Sequence, residues 1–481
     1  TAQQKRDAAV AAAQLRATSN GYTHDGLPIA SGPNTKVYVN LCSEEGSTDP
    51  VTGWKVAPCE GIDTAHKSEY IRVRIVSTIP STFGRVIGRQ TISSAAEAIA
   101  RVQGGGTSSS YWPFTGAGMV AVKNGNHDKC LMMNGGGDLA IHGAGIVINC
   151  TNSKAWWMDG NSTLVMDANG KVAGCYFENG SANWDPATDP IDCWQPSYTY
   201  TEDFFKNIPT TVAPPTCSTT GTVDSGSASD YTYGSGSYPS LTVKKGTVVI
   251  KEGRWGTIMV ETGGTLKMKS GDYCINGGVT VKAGSTLTNQ GADTVKMVMD
   301  DNDFVVNGAA GGGSSVNFAD LELYFDDGTY MQNSDKVSFN ADRLRIFTTG
   351  SGNVDVNAGG TFTSNDAYIY LHRGDVIWNA QTTLNLVASK SGDFAGLLIY
   401  KPWGNTDETT FNGGSNVYLE GTFLAPTTHI IYNGGSDWEL HSQVIADSFL
   451  VNGNTDVDIY YVASEQYQPP SSPNALIELT R

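Results

Sequence analysis

Apolar and polar positions recur along the second half of the chain with a period near twenty residues. Three stretches align on an Asn: FNGGSNVYL from Phe411, YNGGSDWEL from Tyr432 and VNGNTDVDI from Val451. Each reads apolar, Asn, Gly, Gly or Asn, Ser or Thr, Asn or Asp, then apolar-x-apolar. Asn412, Asn433 and Asn452 are 21 and 19 residues apart. Upstream the cadence continues with fewer glycines. Asn317 precedes Leu321 and Leu323, Asn340 precedes Leu344 and Ile346, and Asn379 precedes Leu384 and Leu386, with Asn357 and Phe362 between the last two. Asn134, followed by Leu139 and Ile141, repeats the offset nearer the start. Alternating apolar residues mark strands with one buried face. One such strand and one Asn per twenty residues mark the coils of a parallel β-helix, where each coil buries apolar side chains against its neighbours. The Asn tolerates left-handed backbone at a turn and can stack its amide on the next one. A run of Asn-Gly hairpins would instead need strand partners only a few residues away.

The pattern predicts a mainly β chain. Its mass is a right-handed parallel β-helix over 241–463, with Asn317, Asn340, Asn379, Asn412, Asn433 and Asn452 at equivalent turns. A first β-helix-like segment over 111–206 is punctuated by Gly and Asn (CLMMNGGGDLAI, AGIVINC, STLVMDANGKV). Between them, 207–240 is rich in Pro, Ser, Thr and Gly and reads as a linker. Residues 1–20 are Ala-rich and end at Asn20-Gly21, which predicts a helix with a C-terminal stop. Residues 21–106 alternate with period two in VYVNL and YIRVRIV and read as a small α+β domain, with STFGRVIG as a helical turn and TISSAAEAIARV as a strand. The tail, 464–481, holds three prolines and then a short alternating strand, ALIELTR.

The stretches AQQKRDAAVAAAQL, IRVRIVSTIPSTFGRVIG and TISSAAEAIA resemble the N-terminal part of TadG-like proteins associated with tight-adherence pilus assembly. CLMMNGGGDLAIHGAGIVINCTNSKAWWMDGNSTL is similar to the repeat that follows in many of them, and GLLIYKPW, LEGTFLAPTTHIIYNGG and SQVIADSFLVNGNTDVDIYY to their C-terminal β-helix blocks. The resemblance covers most of the chain apart from 207–240. It implies a bacterial surface protein without catalytic residues, in which a membrane anchor precedes the Ala-rich helix. No such segment precedes Thr1, so the expectation is a mature form, exported with its anchor removed.

Charge narrows the partners. The formal net charge of −17 repels phosphate backbones and anionic headgroups, which argues against nucleic acid and against a membrane surface for the mature form. The eight cysteines, Cys42, Cys59, Cys130, Cys150, Cys175, Cys193, Cys217 and Cys274, form no Cys-x-x-Cys pair. Their scatter fits disulfides formed outside the cell. Sequential pairing is the simplest of the many connectivities.

Chemistry is sparsely signalled. Acidic groups at strand ends, Asp300, Asp301 and Asp303 in MDDNDF and Asp326 and Asp327 in YFDDGTY, are weak calcium candidates without the closing Glu of an EF-hand. As a general acid–base pair they show no readable separation. The seven histidines (24, 66, 127, 142, 372, 429 and 441) have no metal or triad spacing, and nothing calls for a cofactor. Trp156, Trp157, Trp184, Trp194, Trp378, Trp403 and Trp438 are candidates for stacking on surface glycans, though packing in a solenoid accounts for them equally. The expectation is a non-enzymatic extracellular structural protein, pilus-associated or a sheath or filament subunit. Its partner is another copy of itself, reached through the helix over 1–20, the strand in 464–481, or both. A carbohydrate-binding or polysaccharide-degrading β-helix is the alternative.

Overall fold

The computed structural model describes residues 34–48, 55–56, 59, 67, 70–80, 91–101, 114–184, 190–210, 213–469 and 478–480, except 310–311, 335, 358, 380–382, 414–416 and 435–436. They fall into two compact units, Phe114–Gln468 and the residues that flank it in sequence.

Phe114–Gln468 is a parallel β-helix; the solenoid has about 14 turns. A coil runs through three short strands, such as Ile258–Val260, Gly264–Met268 and Gly271–Ile275. Each pairs in parallel with its counterpart one coil on: Ile258 opposite Val279, Leu266 opposite Leu287, Tyr273 opposite Met297. Alternation sets the faces. Leu266 and Met268 are buried in the lumen while Thr265 and Lys267 remain partly exposed. In-register pairing then stacks like on like, so that Phe339 lies against Phe362 at 4.6 Å and Phe411 against Tyr432 at 5.2 Å.

The coils do not follow one another in chain order. Asp437–Gly453 pairs in parallel with Ala117–Ala121 and Leu131–Gly135, and Asp456–Tyr460 pairs with Asp138–His142. The segment over 111–206 therefore stacks on the last coil of the long one, and the two make a single solenoid. Its entrance and exit meet at Gln443. The Gln443 side-chain amide donates to the Phe114 carbonyl at 2.6 Å, and its backbone N–H donates to Gln466 Oε1 at 2.8 Å.

From Cys193 the chain returns along the outside of one face to the other end. Asn149 and Asn124 clamp the backbone of Tyr198 and Tyr200, and Tyr368 donates its hydroxyl to the Pro209 carbonyl at 2.8 Å. The crossing covers Tyr368 and Tyr400, whose hydroxyls donate to its carbonyls, while Phe394 packs on Tyr368 and Phe347. With Tyr324 and Tyr370, the rings of Phe347, Tyr368 and Tyr400 are buried outside the lumen. The strands beneath are consequently apolar on both faces. Val223–Ser225 and Tyr231–Tyr233 then pair antiparallel with Gly246–Ile250 and Leu241–Val243. They end the parallel ladder and cover an edge that would otherwise present unpaired N–H and C=O groups. The stretch expected to be a linker, 207–240, is this crossing and cap, tied down by a disulfide from Cys217 to Cys274.

In the other unit Asn34–Leu41, Tyr70–Pro80 and Thr91–Arg101 form an antiparallel sheet in that order. Among its described residues there is no α-helix, so the α+β expectation becomes antiparallel β there. Thr91–Arg101 is a strand despite its alanines, because pairing along the whole of Tyr70–Pro80 overrides helix propensity. The helix expected over 1–20 and the turn at STFGRVIG lie outside the described residues. Glu478–Thr480 adds antiparallel to the free edge of Thr91–Arg101, Leu479 opposite Ala100. The tail strand thus pairs within its own chain, and the β-helix is an insertion between these two strands.

Candidate functional site

All eight cysteines are paired, Cys42–Cys59, Cys130–Cys150, Cys175–Cys193 and Cys217–Cys274, which marks folding in an oxidising compartment. Among the described residues no helix is long and apolar enough to cross a membrane.

The Asn residues fall into two columns. Asn379, Asn412, Asn433 and Asn452 form one, each donating its amide to the Oδ1 one coil back, at 3.0–3.2 Å for the last three. Asn357 precedes them and Asn134 follows in register with Asn452. Asn317 and Asn340 pair with each other at 3.1 Å on a different face, where the column continues through Thr363. The offset from Asn to apolar-x-apolar differs by one residue, five in the first column and four for Asn317 and Asn340, so the sequence carries a trace of the difference.

Polar side chains gather at one corner of the solenoid, where turns 300–303, 326–329, 349–353, 372–375 and 401–408 lie on successive coils. Of the five acidic candidates, Asp301, Asp326 and Asp327 offer carboxylate oxygens all within 4.8 Å of one another, and all three are exposed. Asp327 Oδ1 already accepts from the Ser351 N–H at 2.7 Å and hydroxyl at 2.9 Å, which hold its pKa below the usual carboxylate range. Asp326 Oδ1 accepts from the Thr349 hydroxyl at 2.9 Å. Asp303 lies apart from this trio and accepts from the Thr329 N–H at 2.9 Å. Asp300 also lies apart, its carbonyl accepting from the Asp326 N–H at 3.0 Å. The trio could supply three oxygens to a calcium ion, which takes six to eight.

Further along the same corner the insertion KPWGNTDETT, read in the sequence only as a polar interruption, buries its polar groups. Lys401, Asn405 and Thr409 are within 2% of full burial. Lys401 Nζ lies 3.2 Å from Asp375 Oδ1 and donates to the Asp407 carbonyl at 2.6 Å and to Thr409 Oγ1 at 2.9 Å. Burial lowers the Lys401 pKa and raises that of Asp375. On a neighbouring coil Asp355 has a buried Oδ1 without a hydrogen-bond partner, and burial, with the charges of Asp375 and Asp303, raises its pKa to about 6. Sequence signalled none of this, because Lys401 and Asp355 stand alone between apolar neighbours.

Among the described residues the histidines do not come together, and His24 and His66 lie outside them. His429 Nδ1 lies 2.8 Å from Ser448 Oγ, but that hydroxyl donates to Asp447 Oδ2 at 3.1 Å and so accepts from the ring. The imidazole is not placed as a base toward it. His441 and His142 stack on either side of Tyr460, at 5.1 and 4.6 Å, which uses their faces within the protein. Of the tryptophans, Trp156, Trp378 and Trp438 fill the lumen and Trp403 stacks on Phe205. Trp157 lies between Lys129, Lys154 and Phe177. Trp184 packs edge-on against Tyr176 at 4.5 Å. Trp194 is 65% exposed. No protein-family model matches this chain, and neither a curated protein nor a solved structure is similar to it.

Proposed function

We propose that the chain is an extracellular structural protein, a TadG-like surface subunit that assembles with copies of itself. The observation that carries this reading is where the polar side chains go. The asparagine columns, the Ser351–Asp327 and Thr349–Asp326 contacts, and the buried Lys401 corner all join one coil to the next. Residue types that elsewhere perform chemistry are spent here on holding a stiff rod together. A subunit of a filament or sheath needs such stiffness, and it needs edges at which copies meet. Among the described residues the outer edge of the eleven-residue strand Thr91–Arg101 is paired only by Glu478–Thr480, opposite residues 99–101, and a sheet edge of this kind suits strand addition from another copy. Negative-stain microscopy of native material tests the reading: filaments or sheets are expected, and separate single-chain particles at all concentrations overturn it.

One observation favours the alternative of glycan binding. Trp194 and Tyr198, 65% and 47% exposed, stand close together in the chain at one end of the solenoid. A glycan array with wild type and Trp194→Ala separates the two readings. Binding lost in the variant supports a lectin-like role, and no binding by either supports the structural one.

A further inference from the structure

The buried corner at Lys401 has the parts of a condensation reaction. Nζ of Lys401, fully buried, stands 3.2 Å from Oδ1 of Asp375, which precedes the strand Val376–Asn379 on the adjacent coil. Cγ, the carbon that an amine would attack, is bonded to that oxygen, so amine and carboxyl are held in contact. The same Oδ1 accepts from the Val376 N–H at 2.6 Å and from the Thr409 hydroxyl at 2.6 Å. Two donors on one oxygen polarise the carboxyl group and stabilise negative charge on that oxygen as nitrogen adds to the carbon. Thr409 is the third group, its hydroxyl accepting from Nζ at 2.9 Å while it donates to Oδ1.

We propose that Lys401 and Asp375 condense to an amide that staples two coils covalently, with the Thr409 hydroxyl between them as the proton relay. The neutral amine adds to Cγ of Asp375, forming the N–C bond. The Thr409 hydroxyl takes a proton from that nitrogen as it passes its own to Oδ1. Oδ2 then leaves as water with the proton from Oδ1, which remains as the amide oxygen. Amine plus carboxylic acid gives amide plus one water, and Thr409 ends as it began. No oxidant or co-reactant is required.

In water this condensation is held back by the charges on ammonium and carboxylate. Here burial disfavours both charges, lowering the Lys401 pKa and raising that of Asp375, so the neutral reacting forms are more accessible. A buried ion pair is costly because desolvation offsets its attraction, and the amide removes both charges.

The test is the intact mass of the native, unreduced protein, followed by a peptide map. The expected mass is the sequence mass less eight hydrogens for the four disulfides and less one water, with a branched peptide joining the segments that hold Lys401 and Asp375. Lys401→Arg keeps a cation and is expected to regain the water, and Thr409→Val is expected to slow or abolish its loss. A wild-type mass that lacks only the eight hydrogens overturns the proposal. So does a missing water that maps elsewhere or persists in Lys401→Arg. Because the wild-type measurement decides, the outcome does not depend on how well the variants fold.

Discussion

Asn452 stands directly opposite Asn134 on adjacent coils, the last of the long segment and the first of the short one. The same junction sets Phe449 opposite Leu131 and Val457 opposite Leu139, all buried. Stability in a solenoid is approximately a sum over neighbouring coils, so damage in one coil is felt by those it touches. Met133 is fully buried between Val451 and Met158. Met133→Ala is expected to cost about 3 kcal/mol. Hydrogen exchange should quicken in 430–433 and 449–453 as well as in 131–135 and 156–158. Faster exchange confined to 117–192 would mean that the two segments behave as separate domains.

The cap over the first coil is held by the Cys217–Cys274 bridge, which joins residues 57 apart. Loop-closure entropy for that span is worth about 4 kcal/mol, and in a local cap most of it appears as protection of the cap itself. Replacing both cysteines by Ser should open 213–238 to limited proteolysis while the distant coils stay resistant. Equal resistance of cap and coils in that variant would show that strand pairing alone secures the end. In the unaltered protein, alkylation without reductant should add no label, and any labelled thiol counts against the four pairs.

The fold was legible in the sequence where one residue type repeats at one place in the coil. Asn412, Asn433 and Asn452 reveal the period because each needs the same turn. Asn317 and Asn340 lie on another face, and their apolar pair begins four residues on rather than five, a difference small enough to pass for drift in the repeat until the register is seen. Stacking order was not legible, since nothing in Ala117–His142 states that it follows Tyr460. The cap was read as a linker because its strands, Val223–Ser225 and Tyr231–Tyr233, are short and mostly solvated. The Lys401 corner was hidden for a different reason. Polar residues satisfying one another inside the protein look, in one dimension, like a polar loop.

Asp301, Asp326 and Asp327 are exposed, and two of them already accept hydrogen bonds from the next coil. Binding calcium would give the ion only three protein oxygens in exchange for water, at most half of its usual set. Millimolar calcium is therefore expected to leave the melting temperature unchanged. A rise that disappears in Asp327→Asn would establish an ion site at this corner.

Glu322 provides the pH dependence. Its carboxylate is nearly buried, which alone would raise its pKa, but hydrogen bonds from Arg343 and Tyr324 and the charges of Lys296 and Arg343 outweigh burial and hold it below the ordinary 4.5. A carboxylate whose pKa is depressed by folding stabilises the native state above the unfolded value, and that contribution is lost as pH falls through the folded one. Glu322→Gln should therefore lower stability most at pH 7 and progressively less below pH 4.5. Arg343→Met removes the partner that also bridges to Asp320 and leaves Glu322 dependent on Lys296. Because Arg343 is about one-third exposed, the expected cost is about 2 kcal/mol at neutral pH, between that of surface and fully buried pairs. The loss should shrink in acid, where Glu322 takes up a proton and no longer needs a cation. Urea midpoints of wild type and both variants at pH 7, 5 and 3.5 decide the matter. Parallel pH profiles for all three proteins would show that Glu322 is not held charged by Arg343.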